Sequence, residues 1–285
     1  MKTIILMITM FALAACGGEA PTAPTASTTP PEATQEAVET ASVDSAESTV
    51  VVEYIWHKKA DGFTEEDLWS HAEYWANDTA EAGDELNLAV VMTPRVENDN
   101  ADFIWVLVWP TGEARDSAWA NWAENREPAW LELTQNTFTY SKDNVYGFTP
   151  LSYRMASVDN DTDTGISEFI FCTYREGMGA ADRLAFEGLH NAFTDAYEAD
   201  AAPTSYWWAI MDPLFEPDPS NAFDYMWVNF FANDGERDGI YAAYVESEHS
   251  SQAEQDADCT DPSVYDSKVI FRAKAVVEAE AEAEA

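Results

Sequence analysis

The chain has 285 residues, enough for one or two domains with a sizeable core, and 46% of them are apolar. Its formal net charge is -39, from 53 acidic and 14 basic residues. That balance excludes a basic groove for nucleic acid or an anionic lipid surface, because phosphate binding is driven by Lys and Arg.

The plain reading of the acidity is a solvated surface; capture of cations is the sharper alternative. The chain opens MKTIILMITMFALAAC. Lys2 supplies a positive start, and Ile4 to Leu13 is an apolar run too short to span a bilayer. Leu13-Ala14-Ala15-Cys16 then resembles a bacterial lipobox. The resemblance implies cleavage after residue 15, lipid on Cys16, and a place in the cell envelope. Gly17, rather than Asp, follows the cysteine, which by the same resemblance points to the outer membrane. Residues 16–49 are rich in Pro, Thr, Ala, Ser and Glu without apolar periodicity. Such a segment buries too little surface to offset its ordering entropy, so it reads as a disordered tether. At about 3.1 Å per residue it reaches several tens of ångströms from the membrane.

Val50 to Trp56 predicts a first strand, and Asp61-Gly62 a turn. Thr64-Glu65-Glu66-Asp67 resembles a capping box, and Leu68, Ala72 and Trp75 then share a helix face. Leu88 to Met92 and Phe103 to Trp109 predict two more strands. The third is apolar at every position, which implies that both its faces are covered. A second helix runs from about Thr111 to Asn125, a long polar passage follows, and Val145 to Met155 predicts a fourth strand.

The same order then recurs. Trp105–Glu124 aligns without a gap on Trp227–Glu246, matching Arg115-Asp116 to Arg237-Asp238, Trp119 to Tyr241 and Trp122 to Tyr244. Glu168 to Tyr174, Ser205 to Met211, Tyr225 to Phe231 and Val269 to Lys274 predict the strands. The first helix of this half carries Phe186, Leu189, Phe193 and Tyr197 on one stripe, and the second spans about Glu236 to Glu246. The fold class expected is α+β: tandem β-α-β-β-α-β units at 50–156 and 168–275, an acidic connector at 157–167, and an acidic low-complexity tail at 276–285. This order resembles the ferredoxin-like fold, and the duplication resembles the dimeric α+β barrel superfamily. The resemblance implies two antiparallel sheets packed face to face with helices outside. That superfamily holds cofactor-free monooxygenases, haem enzymes and proteins of unknown activity, so fold alone does not give function.

Cys172 and Cys259 follow the lipid site. An oxidising envelope suggests one disulfide between them, which the implied sheet order makes plausible; a buried and an exposed free thiol are the alternative. The histidines are His57, His71, His190 and His249. Any of them is a candidate base or haem ligand, and a satisfied core residue otherwise. Asp159, Asp161 and Asp163 alternate as in a calcium loop, but Thr164 precedes Gly165 and Ile170 holds the closing position, so a polar connector is preferred. Arg154 and Arg272 recur on the fourth strands, to anchor an anion or, preferably, to pair with carboxylates. Arg115-Asp116 and Arg237-Asp238 are expected at helix starts. Trp56, Trp105 and Trp227 line a cleft or fill a core. No nucleophile–base pair, phosphate loop or zinc spacing occurs. The expected function is a lipid-anchored binding or interaction module for a small apolar ligand or an envelope protein, with no cofactor required. A cofactor-free oxygenase and a purely structural envelope protein are the alternatives.

Overall fold

The computed structural model describes residues 49–250 and 255–273. Cys16, nearly all of the tether and the acidic tail lie outside the described residues. The strands are β1 (Val51–Lys59), β2 (Leu88–Pro94), β3 (Phe103–Trp109), β4 (Phe138–Arg154), β5 (Thr164–Tyr174), β6 (Trp207–Pro213), β7 (Tyr225–Phe231), β8 (Ala257–Cys259) and β9 (Ser263–Arg272). The helices are α1 (Glu65–Ala82), α2 (Gly112–Asn125), α3 (Glu127–Thr134), α4 (Ala180–Asp200) and α5 (Asp234–Glu246). None of the described helices is long and apolar enough to cross a membrane.

Local chemistry sets the helix ends. Thr64, Thr111 and Asn233 each accept a backbone N–H with their side chains at the starts of α1, α2 and α5. Gly83, at φ 72°, closes α1 in the left-handed conformation that only glycine adopts freely. Gly62 is a glycine because a Cβ would lie 2.7 Å from the Asn136 carbonyl oxygen. Its counterpart Gly177 is one because φ is +85°.

Within the first half β1 lies between β3 and β4, with Ile55 opposite Trp105, and β3 pairs β2. Within the second half β5 lies between β7 and β9, with Ile170 opposite Trp227, and β7 pairs β6. The expectation of two separate facing sheets needs correction. β4 also pairs β6, and β9 also pairs β2, so eight of the nine strands close into one antiparallel barrel. The reason lies in the fourth strands, which begin earlier than the sequence reading placed them. β4 serves β1 with Phe138 to Phe148 and β6 with Phe148 to Arg154. Closure pairs the edge N–H and C=O groups that two open sheets would leave bare. The ninth strand, β8, extends the edge of β9 along β5.

Strand alternation now sorts the side chains. Val52, Tyr54, Ile104 and Val106 point inward and meet Phe169, Met211, Met226 and Val228 of the other half in a shared barrel core. Ile55, Phe103, Trp105 and Leu107 point outward under α1, α2 and α3. Trp208, Ile210, Trp227 and Phe231 do the same on the second half, beneath α4 and α5. The unbroken apolar run of β3 is thus covered on one face by helices and on the other by the opposite half.

Candidate ligand cavity of the second half

The layer between helices and sheet differs between the halves. In the first half it is filled by indoles. Trp75 of α1 lies 5.3 Å from Trp105, and Trp130 of α3 lies 6.0 Å from Trp105 and 5.9 Å from Trp122, centroid to centroid. The space left there is about 60 Å³. In the second half His190 stands as far into α4 as Trp75 stands into α1, and Tyr244 replaces Trp122. Among the described residues no helix follows α5 to supply a ring in place of Trp130. The result is a cavity of about 550 Å³, walled by Phe186, His190, Tyr206, Trp227, Tyr244 and the strand β8.

The apolar stripe expected on α4 packs on the core of this half through Phe186, Phe193 and Tyr197. The fully buried positions of α4 also include Arg183, Glu187, His190 and Thr194. Arg183 and Glu187, one turn apart, satisfy each other in an ion pair, and Arg183 also donates to Tyr174 and Ser152.

One wall of the cavity is a directional chain of hydrogen bonds. The Tyr206 hydroxyl donates to Asn229 Oδ1 at 2.9 Å, and Trp227 Nε1 donates to the same oxygen at 2.8 Å. Since the Tyr206 proton is used there, its oxygen accepts from His190 Nε2–H at 2.8 Å, which fixes the tautomer. Asn229 Nδ2 reaches Glu168 Oε2 at 3.4 Å, and Glu168 also accepts from Tyr241 at 2.6 Å and from Arg237 Nε. Glu168 is 0% exposed. Burial pushes the Tyr206 hydroxyl well above its ordinary range. Burial also pushes His190 down to about 3, helped by the nearby charges of Arg154 and His249. The imidazole is therefore neutral at any ordinary pH.

Glu168 has a twin. In the first half Glu53, also 0% exposed, accepts from Arg115 Nε at 2.6 Å and from the indoles of Trp109 and Trp119, each at 2.8 Å. The repeated Arg115 and Arg237 thus neutralise buried carboxylates. Sequence reasoning assigned only a helix-end role to these Arg-Asp pairs and passed over the two glutamates. The signal was present: one Glu sits inside each first strand, matched by one Arg inside each second helix.

The other candidates do not converge. His57 is a core residue of the first half, stacked 4.7 Å from Phe103, with Nδ1–H donating to the Ile55 carbonyl at 2.9 Å; burial pushes its pKa down to about 4. His71 meets Thr137 at 3.2 Å, and partial burial lowers its pKa. His249 lies near Phe193. Arg154 pairs with Asp195 and Glu198 of α4, and Arg272 with Asp163. Asp159, Asp161 and Asp163 are exposed, on a loop that Asn160 ties together. Among the described residues no three His, Cys, Asp or Glu side chains gather as a metal site. Cys172 and Cys259 are disulfide-bonded and face each other across β5 and β8.

Haem, held through an axial histidine, is the cofactor of some members of the superfamily that the element order resembles, beside cofactor-free ones. His190 is the histidine in the cavity wall, but its Nε2 is committed to Tyr206. Its Nδ1 has no partner and is covered, with less than 1 Å² of surface. Neither nitrogen faces the cavity for ligation, so these residues do not fit axial haem, and no step is derived through it.

No family model and no curated protein matches this chain. Among solved structures it is similar to a protein described as a monooxygenase from Lactobacillus acidophilus, at 12% identity and TM-score 0.46, covering 79% of this chain and 96% of that one. It is similar to a mutant chlorite dismutase from Candidatus Nitrospira defluvii in complex with cyanide, at 10% identity and TM-score 0.47, covering 79% and 92%. It is also similar to a protein described as a monooxygenase from Fusobacterium nucleatum, at 8% identity and TM-score 0.48, covering 80% and 96%. Scores at this level support no inference about chemistry.

Proposed function

We propose that this chain is a lipid-anchored envelope protein that binds a small, largely aromatic molecule between α4, α5 and the sheet of its second half. The reading takes the halves as tandem ferredoxin-like units, one kept as a filled scaffold and the other hollowed. The observation that carries it is the difference in filling at equivalent positions, about 60 Å³ against about 550 Å³. The larger volume falls within the roughly 300–1,000 Å³ usual for small-molecule sites, which are mostly apolar with a few placed polar groups. A purely structural role leaves that asymmetry without a cause. Binding is favoured over catalysis because the cavity-wall histidine, His190, has its Nε2–H committed to Tyr206 and its Nδ1 covered, so neither nitrogen is placed to take a proton from a ligand. Cys16 and the tether of residues 16–49 belong to the same proposal, as the attachment to the membrane.

The test is native mass spectrometry of the full chain extracted in detergent from its own envelope. The expected spectrum carries two additions: a lipid on Cys16 and a retained small molecule. His190→Trp restores the ring that Trp75 supplies in the first half; it should lose the small molecule and keep the lipid. A wild-type chain without any adduct, which also binds a neutral apolar dye no better than His190→Trp does, would refute ligand binding. An unmodified Cys16 would refute the anchor.

A further inference from the structure

We propose that the end of the barrel at Trp56 is a second binding site, for a small organic cation of the quaternary or protonated amine class. The inward residues of β1, β4 and β5 leave the packed core there and become half-buried: Trp56 beyond Tyr54, Tyr146 beyond Phe148, Phe171 beyond Phe169. Phe215 and Phe223, from the connection between β6 and β7, close over them. Trp56 and Tyr146 lie 4.8 Å apart, Tyr146 and Phe215 5.3 Å, and Phe171 and Phe223 4.9 Å. The rings surround a space of about 650 Å³.

Charge decides what that space suits. No Lys, Arg or His lines it among the described residues; of its two acidic lining residues Asp258 is ion-paired with Arg175 at 2.7 Å, so the negative charge at this space comes from Asp218. Aromatic faces are the negative side of the ring quadrupole, and a cation held over them gains most when it is partly desolvated. A net charge of -39 draws cations toward the chain at long range. A neutral apolar ligand would bury the same area without either contribution, and an anion would meet both as penalties. This site differs from the cavity proposed above: its rings face into the barrel, whereas His190 lies outside the sheet. The two share only the wall formed by Asp258, Cys259 and Thr260.

Isothermal titration of the full chain, with choline and with its uncharged isostere in which a tert-butyl group replaces the trimethylammonium, tests the proposal. Choline is expected to bind about tenfold tighter than the isostere, the ratio for roughly 1.4 kcal/mol of cation–aromatic attraction. Trp56→Leu should weaken choline by a similar factor. Asp218→Asn, an exposed change that leaves the core untouched, should weaken it by about threefold, as loss of one marginal charge predicts. His190→Trp should leave choline binding unchanged. Equal or tighter binding of the isostere overturns the proposal. So does absence of choline binding, or loss of it in His190→Trp with retention in Trp56→Leu. If Trp56→Leu does not fold, Asp218→Asn and the isostere still decide.

Discussion

Glu53 and Glu168 lie out of contact with water in the middle of strands; Glu53 is met by one arginine and two indoles, and Glu168 by one arginine, one tyrosine and the Asn229 amide. They were legible in principle, because both the acid and its base repeat. What the sequence could not say is that the arginines turn inward from their helices. The histidines show the same divide. His57 aligns with Cys172 and reads as an unshared, chemically able residue, yet it is a neutral core side chain. Its folded pKa, about 4, lies below the ordinary 6.5. Between those values the unfolded chain binds more protons than the native one, so stability rises with pH across that window. The contribution is fully present above about 6.5 and is lost as pH falls toward 4, on the order of 3 kcal/mol for a shift of this size. His57→Phe keeps the ring and removes the titration. Urea unfolding at pH 7 and pH 4.5 should therefore give a smaller difference for the variant than for the wild type. Equal differences would show that His57 is not a source of acid sensitivity.

At the scale of elements, sequence reading missed the helix α3 and the strand β8, and both are short. The α3 segment has a proline at its start, no side-chain cap and a single buried indole, Trp130. Nothing local sustains so short a helix; burial of that indole on the sheet does. Strand β8 has three residues, and the Cys172–Cys259 bond holds it to β5. The bond closes a sequence separation of 87 residues. The chain-entropy model assigns such a loop roughly 4–5 kcal/mol of stabilisation through the unfolded state. Replacing both cysteines by serine should lower the unfolding free energy by that order. It should also weaken ligand retention, since β8 walls the cavity. Urea melts and the mass-spectrometric assay measure the two effects. Unchanged stability would mean that β8 is held by its hydrogen bonds alone.

For the whole molecule, closure of the barrel and the net charge of -39 act in opposite directions. Joining the halves along β4–β6 and β2–β9 buries both inner faces and leaves no open edge among the eight strands. Crowding acidic groups around that compact body costs self-repulsion, which salt screens over a Debye length of about 10 Å at 0.1 M. Raising sodium chloride from about 10 mM to about 150 mM should therefore raise the melting temperature by several degrees, readable by differential scanning fluorimetry. A flat or falling response would place the acidic groups too far apart to repel.

Sequence alone determined the repeated β-α-β-β-α order and the third strand, Phe103 to Trp109, with two apolar faces. These are properties of spacing within short segments, where side-chain period and turn chemistry act locally. Only the tertiary structure decided that the sheets join at their edges and that the second half is hollow. Edge pairing depends on how far β4 and β9 outrun their first partners. Empty volume depends on the summed bulk of rings arriving from α1, α2, α3 and β3 in one half, against α4, α5 and β7 in the other. No local pattern carries that sum, because each contributing side chain comes from a different part of the chain.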